Sequence, residues 1–424
     1  MASTAASVTS ANGLNIKPGR ALNLLDPHFT NNKQAYYDWM REHAPVHTGR
    51  ITVMRMHMLS RYDDCLALTK DPRFGRNRAR IVGNGRKPFP LPKSLALLSK
   101  SMIIEDDPEH KRLRKLVQPA FTPRNIRGLE EAMVTQTHEL LDQVVGARSF
   151  DLIKHYALPI PTTMIGQLVG VSAAQMPKFQ NCLGVLSEGF SGWGIMRTLV
   201  RDMPKVVTFV RELIDDKRAN PGEDLLSTLV HTEQDGDRLT EAELVSMVFL
   251  LIVAGYETTV HLISNGVLAL ATHPEQWQRL RENPALLGSA VEEILRFNGP
   301  IHGTKMNYAK EDVELRGVLI PKGKIVIPLL SAANHDPDAF PNPEQFDIAR
   351  TPNRHLGFSQ GPHFCLGAFL ARLETKVALR TLLERMPNLQ LAVAPEALQL
   401  QKLPLWHRYQ EMPMRGPQSA AKAA

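Results

Sequence analysis

The chain has 424 residues, 43% hydrophobic and 22% charged, with 50 Lys and Arg against 43 Asp and Glu and a formal net charge of +7. That balance fits a globular protein with a large core and excludes a disordered or low-complexity chain. Three irregularly spaced cysteines exclude a disulfide framework, and dispersed cations with only 6% aromatics give no nucleic-acid footprint. Met1 to Lys17 is rich in Ala and Ser but lacks the apolar core and basic flank of a secretory signal. Residues 1–23 therefore read as a flexible tail, 24–415 as one domain and 416–424 as a second tail, in a cytoplasmic protein. A short helix is expected over Lys33–His43 and a strand over the period-2 stretch Ile51–Leu59. Residues 76–100, rich in Arg, Lys, Gly and Pro, read as irregular. Asp107-Pro108 opens a mostly helical region broken at Pro159-Ile-Pro161 and Asn220-Pro-Gly222. Thr240 and Glu243 form a capping box before an apolar run, Leu244–Gly255, that is too short to span a bilayer. Asn283-Pro284 reads as N-cap and first turn of a helix reaching Phe297. Val318–Ile320 and Ile325–Ile327 read as two short strands joined by a turn. A Pro-rich coil, Asp336–Pro352, precedes a helix over Ala368–Arg385. The expected architecture is a helix-rich domain with β-structure near both ends.

Phe358-Ser-Gln-Gly-Pro-His-Phe-Cys-Leu-Gly367 is the most informative stretch. Cys365 sits in a Gly-bounded loop leading into a helix, where the helix N-terminus and backbone N–H groups would stabilise a thiolate. Gly361 and Gly367 would let a flat ligand approach the backbone, and Phe358 could cover the cluster. That is the environment of a cysteinate serving as axial ligand to haem iron. Cys65 and Cys182 lack it and read as inert packing.

Within the apolar helix lies Ala254-Gly-Tyr-Glu257-Thr258-Thr259. An acid beside a hydroxyl in a buried run is costly without a purpose. Gly255 and the threonines would loosen the backbone ladder and permit a kink. The plainer alternative has Thr258 bonding back to its own helix and Glu257 reaching a buried cation. Glu293 and Arg296 share a helix face, though such pairs are commonly surface features worth under ~1 kcal/mol.

The pattern Phe-x-x-Gly-x-His-x-Cys-x-Gly resembles the haem-binding loop of the cytochrome P-450 family, with Ser359 standing where Gly is more usual. The other motifs follow in the family's order from about residue 24 to 415, and the type resembled is the soluble bacterial one. The resemblance implies a mainly α fold with small β-sheets (α+β), with haem b between the helix of Thr258 and the helix after the Cys loop. It implies a monooxygenase using O2 and electrons from NAD(P)H through a ferredoxin or flavodoxin with its reductase, without a membrane anchor and monomeric. Thr258 and Glu257 would be the alcohol and acid of proton delivery. Glu293 and Arg296, completed by Arg350, would be structural. His110, Arg114 and His363 would bind the haem propionates. The family's further propionate Arg is replaced here by Asn307, with Lys305 two residues earlier as a candidate substitute.

Arg112, Lys115, Arg372, Lys376 and Arg380 could form a basic docking patch for the redox partner, or simply a solvated charged face. By position the substrate pocket draws on Phe89, Leu91, Leu95, Leu250, Val253, Ala254, Ile301, Thr304, Met306 and Trp406. These side chains suit a terpenoid, steroid, fatty acid or polyketide. Arg76, Arg78, Arg80, Arg86 and Lys87 hint at a carboxylate-bearing substrate, or form an exposed basic loop. A peroxide-driven enzyme of the same family and a non-catalytic haem-thiolate sensor are the competing readings. The Glu257–Thr258 pair argues against both.

Overall fold

Alternating apolar residues near the chain ends build sheets, and long apolar stretches between them build helices. The computed structural model describes residues 13–17, 19–83, 101–122, 126–188, 201–232 and 237–415. The strands, in chain order, are β1 (Leu22–Asn23), β2 (Val46–Ile51), β3 (Met54–Leu59), β4 (Phe74–Gly75), β5 (Ser149–Asp151), β6 (Asn307–Ala309), β7 (Val313–Leu315), β8 (Val318–Ile320), β9 (Ile325–Pro328), β10 (Gln390–Leu391) and β11 (Pro413–Arg415). The largest sheet has the order β1-β2-β3-β9-β6-β4; β10-β11-β5 and β7-β8 form two smaller ones. The helices that frame the site are α1 (Lys33–His43), α2 (Glu109–Val117), α3 (Glu130–Asp142), α4 (Pro159–Leu168), α5 (Glu241–Thr272), α6 (Leu287–Asn298) and α7 (Ala368–Arg385).

Three local expectations change, and a fourth, the two strands from Val318 onward, holds with partners the sequence did not show. The stretch Ile51–Leu59 is a hairpin corner rather than one strand, because Thr52 takes a left-handed φ of 51° and ends β2 at Ile51. Leu22–Asn23, assigned to the tail, pairs with Gly49 and Arg50 of β2. β8 and β9 do follow one another through a turn, but they part company. β8 pairs with β7, whereas β9 lies between β3 and β6. Asn283 makes no side-chain cap; Pro284–Leu286 is a 3-10 turn, and α6 begins only at Leu287.

α5 organises the helical core. Thr240 accepts from the Glu243 N–H while the Glu243 carboxylate accepts from the Thr240 N–H at 2.8 Å, closing the expected capping box. The helix is apolar on nearly every side, which suits a core helix packed against α4, α6 and α7. It is long and apolar enough to cross a membrane, yet most of its apolar stretch is buried inside the fold. It runs as one helix of 32 residues through Gly255. A Cβ at Gly255 would come within 2.8 Å of Ile165 Cδ1, so this glycine allows close approach of α4.

Candidate active site

The Cys365 loop is held by its own backbone. The Cys365 N–H donates to Phe358 O at 3.0 Å, Phe364 N–H donates to Gly361 O at 3.0 Å, and α7 begins three residues after the cysteine. Ser359 sits at φ 60°, the left-handed region that explains why glycine suits this position. Gly361 has φ 73° and its absent Cβ would lie 2.4 Å from Thr69 O. The positive φ and the contact with Thr69 are thus enough to require glycine there. Gly367 is different: a Cβ there would meet nothing within 4 Å, so no protein contact accounts for its glycine. Phe358 is buried, with the Arg372 guanidinium 4.5 Å above its ring. Burial pushes the Cys365 thiol up, outweighing the Gly367 N–H, Arg114 and Arg372, which all pull it down. The helix terminus alone therefore does not hold the sulfur ionised, whereas a coordinated metal does.

Cations and imidazoles converge beside this loop. His110 on α2 and His363 have ring centroids 4.1 Å apart. His363 is pushed down to about 2 by burial and then by Arg76, His110 and Arg114. His110 is lowered chiefly by burial, despite Asp107 Oδ1 at 3.4 Å. Arg114, one turn beyond His110, donates to the carbonyls of Phe364 at 2.9 Å and Pro362 at 3.2 Å, so it ties α2 to the loop. Lys305 is exposed, yet nearby protein and then Arg76 lower its ammonium.

Arg76, which sequence placed among the basic residues of an irregular loop, turns inward to this group; Arg78 and Arg80 are exposed. Burial lowers its guanidinium to about 10, and its Nε is buried without a hydrogen-bond partner among the described residues. The β4–β6 ladder ends at Gly75↔Tyr308, which leaves Arg76 next in line toward Asn307. A cation on the neighbouring strand thus stands beside the position of Asn307, a juxtaposition that a linear motif search cannot see. The group is suited to a ligand carrying two carboxylates. Residues Arg86, Lys87, Phe89, Leu91 and Leu95 lie outside the described residues.

On α5, Ala254 is exposed in the middle of a largely buried helix, with Val253 and Thr258 half-buried beside it. The Thr258 hydroxyl donates back to Ala254 O at 2.9 Å, and Glu257 pairs with the Arg408 guanidinium from the C-terminal hairpin, residues 399–410, which the Leu400–Tyr409 bridge closes. Both halves of the plainer alternative are therefore present alongside the acid–alcohol juxtaposition. Leu250 packs at the edge of the helical core, Val253 against Met203 and Val206. Ile301 bridges to Trp406, whose ring lies 5.3 Å from the Arg408 guanidinium. Ile301 and Met306 pack on the sheet clusters, and the half-buried Thr304 donates to Lys305 O at 3.0 Å.

Glu293 and Arg296 are fully enclosed rather than at the surface. The carboxylate accepts from Arg296 twice at 2.8 Å, from Arg350 at 3.2 Å, from Asn353 at 3.0 Å and from the Asp347 N–H at 3.0 Å. Arg296 sends its remaining N–H groups to the carbonyls of Asn334, Pro343 and Gln345. Asn353 was not foreseen; an amide in a coil carries no periodic signal.

The basic patch is largely neutralised. Arg112 pairs with Glu109, Asp237 and Glu243, Arg372 with Glu292 at 2.6 Å, and Arg380 lies 3.9 Å from Glu130. Lys115 also has an interaction partner, and Lys376 is exposed on α7. Apart from Glu109 on α2 itself, the acids come from other segments of the chain, which the spacing of the cations could not reveal.

Glu374 was also missed. It lies on α7, 1% exposed, with neither carboxyl oxygen hydrogen-bonded among the described residues. Burial raises it to about 8, with Thr259 pulling the other way. The folded chain then holds a proton that the unfolded chain releases above about 4.5, so stability falls as pH rises from there toward 8. Glu374→Gln should remove that loss. The gain of the variant over the parent is expected to grow by roughly 1–3 kcal/mol between about pH 5 and about pH 8, read from denaturant unfolding at each pH. A gain that does not change with pH would show the carboxyl to be ionised in both states.

The geometry matches a known fold. The family model described as Cytochrome P450 matches residues 164–395. Cytochrome P450 107B1 of Saccharopolyspora erythraea is 38% identical over 398 residues, 92% of this chain and 96% of that protein. The solved structure of the bacillaene polyketide synthase cytochrome P450 PksS of Bacillus subtilis 168 superposes with a TM-score of 0.86 at 35% identity, covering 92% of this chain and 98% of that one. P450BioI in complex with hexadec-9Z-enoic acid ligated acyl carrier protein superposes at 0.82 with 35% identity, over 91% and 99% of the two chains. A cysteine loop beneath converging cations, an acid–alcohol pair on the central helix and relatedness along nine-tenths of the sequence lead to one conclusion: the chain belongs to the cytochrome P450 family, as a monooxygenase of the soluble bacterial type.

Proposed function

We propose that this monooxygenase inserts one oxygen atom of O2 into an apolar substrate of polyketide or fatty-acyl type, with electrons from NAD(P)H through a ferredoxin or flavodoxin and its reductase. The carrying observation is the placement of Thr258 and Glu257 beside Ala254, which is exposed midway along a largely buried helix. Haem, when bound, supplies the iron chemistry that activates O2. Cys365 would be its axial ligand, and Gly367 would leave room for the ring. His110, His363 and Arg76, with Lys305 at the rim, would face its propionates, and Arg114 would hold the loop to α2. Thr258 would turn its hydroxyl from Ala254 O toward the reacting oxygen, and Glu257 would replenish its proton. Apolar Leu250, Val253, Ile301, Met306 and Trp406 would exclude water and orient the substrate.

The substrate class draws on the relatives: one is a polyketide synthase P450, and another was solved with a fatty acid carried on an acyl carrier protein. The exposed Lys376 offers the redox partner a cation on α7, and the setting of the reaction would be the cytoplasm. The test is reconstitution with ferredoxin, reductase and NADPH over a library of long-chain acids and macrolides. NADPH consumption should rise with the right compound. Thr258→Ala is expected to keep the ferrous–CO spectrum but send most reducing equivalents to hydrogen peroxide. Faster turnover on added peroxide than on ferredoxin would replace this reading with a peroxygenase.

A further inference from the structure

One turn beyond Glu257 on α5 lies His261, and one turn further Asn265, so the three share a helix face. That face meets the C-terminal hairpin, where Arg408 pairs with Glu257 and the His407 carbonyl accepts from Asn265 Nδ2 at 3.0 Å. His407 stacks on His302 with centroids 5.0 Å apart and ring planes 6° apart. His302 Nδ1 shares a hydrogen bond of 3.2 Å with the Tyr37 hydroxyl on α1. Lys33, also on α1, donates to Leu403 O at 3.0 Å and to Trp406 O. A band of polar groups thus runs through the core from Glu257 to α1.

The band is under-satisfied from within. His261 Nδ1, Asn265 Oδ1 and His407 Nδ1 are buried without a hydrogen-bond partner among the described residues. His261 is 5% exposed and Asn265 0%. Three such atoms along one seam are a costly arrangement unless ordered water bridges them. Burial, aided by Arg408 and His407, pushes His261 down to about 3, so its imidazole is neutral at physiological pH. A neutral imidazole has one donor and one acceptor nitrogen. It can release a proton from one while taking another at the other, and it ends each passage with its charge unchanged. Lys33, lowered to about 8 by burial, closes the band at its far end.

We propose that the seam between α5 and the C-terminal hairpin is a proton-supply route to Glu257, with His261 as the residue that hands protons to the Arg408–Glu257 pair. His261 touches neither cofactor nor substrate and is a positioning and relay residue. The proposal rests on the monooxygenase reading, because only oxygen activation consumes protons at Glu257.

His261→Phe fills the space and removes both nitrogens, whereas His261→Gln keeps polar atoms able to hold water. In the reconstituted holoenzyme, His261→Phe is expected to lower product per NADPH several-fold. It should also raise the solvent deuterium isotope effect on NADPH-driven turnover about twofold, with His261→Gln in between. The substrate-induced spectral shift should be unaltered in both. A high-resolution crystal structure of the parent should place waters on His261 Nδ1, Asn265 Oδ1 and His407 Nδ1. Parental coupling and isotope effect in His261→Phe would overturn the route, as would a dry seam. If His261→Phe does not fold, Asn265→Leu carries the same kinetic test. A parent with no thiolate ferrous–CO spectrum would instead defeat the monooxygenase reading, and the crystal structure would still decide the seam.

Discussion

Replacing Cys365 by alanine is expected to abolish the thiolate-type ferrous–CO spectrum and all NADPH-driven turnover while leaving the chain folded. The loop does not depend on the sulfur for its shape. The Cys365 N–H bond to Phe358 O, the Phe364–Gly361 turn and the Arg114 bonds to the Phe364 and Pro362 carbonyls all use backbone atoms that alanine keeps. Circular dichroism should therefore be close to the parent's. Only the ligand is lost, and with it the electron donation that makes a thiolate-ligated haem cleave O–O bonds. Cys65 offers a control on the same chain. It is fully buried, its thiol is raised by burial, and its sulfur lies 3.2 Å from Leu59 O. Cys65→Ala should cost some stability and leave the spectrum intact. A parental spectrum in Cys365→Ala would move the iron ligand elsewhere and undo the assignment of the loop.

What sequence could and could not reveal divides along a physical line. The Cys loop, the capping box of α5, the Glu257–Thr258 pair and the spacing of Glu293 and Arg296 are contiguous or one helical turn apart, so a linear reading finds them. Partners that arrive from distant segments escape it. Arg408 lies 151 residues from Glu257, Arg76 reaches the anion-seeking group through the β4–β6 ladder, and Glu292 and Glu243 cancel cations on other helices. Burial carries no linear signature either. Glu374 reads as an ordinary polar position of an amphipathic helix, yet it is enclosed on α7, whose neighbours cover nearly every side. The strands beyond Val318 show the same limit: their turn is legible, but the sheets they join are set by long-range register.

The largest loss of stability is expected from Glu293. Its carboxylate is wholly buried and accepts five hydrogen bonds, from two guanidiniums, one amide and one backbone N–H. Both arginines use their other N–H groups to clamp carbonyls between Asn334 and Gln345, the segment that leads into the Cys loop. Glu293→Ala would leave the guanidinium of Arg296, 1% exposed, with its charge uncompensated. Breaking a buried pair from one side in this way costs about 3–5 kcal/mol, a large share of a typical folding free energy of about 5–15 kcal/mol. The variant should express mainly as aggregated or colourless protein, read as the haem-to-protein absorbance ratio and the urea midpoint. Glu293→Gln should fall between, because one amide oxygen still accepts while its NH2 group faces donors. Since the clamp and the cysteine are joined by a short run of coil, the loss of pigment should track the loss of stability across the two variants. A Glu293→Ala protein that stays fully folded but colourless would show that the clamp shapes the haem loop without holding up the rest of the fold.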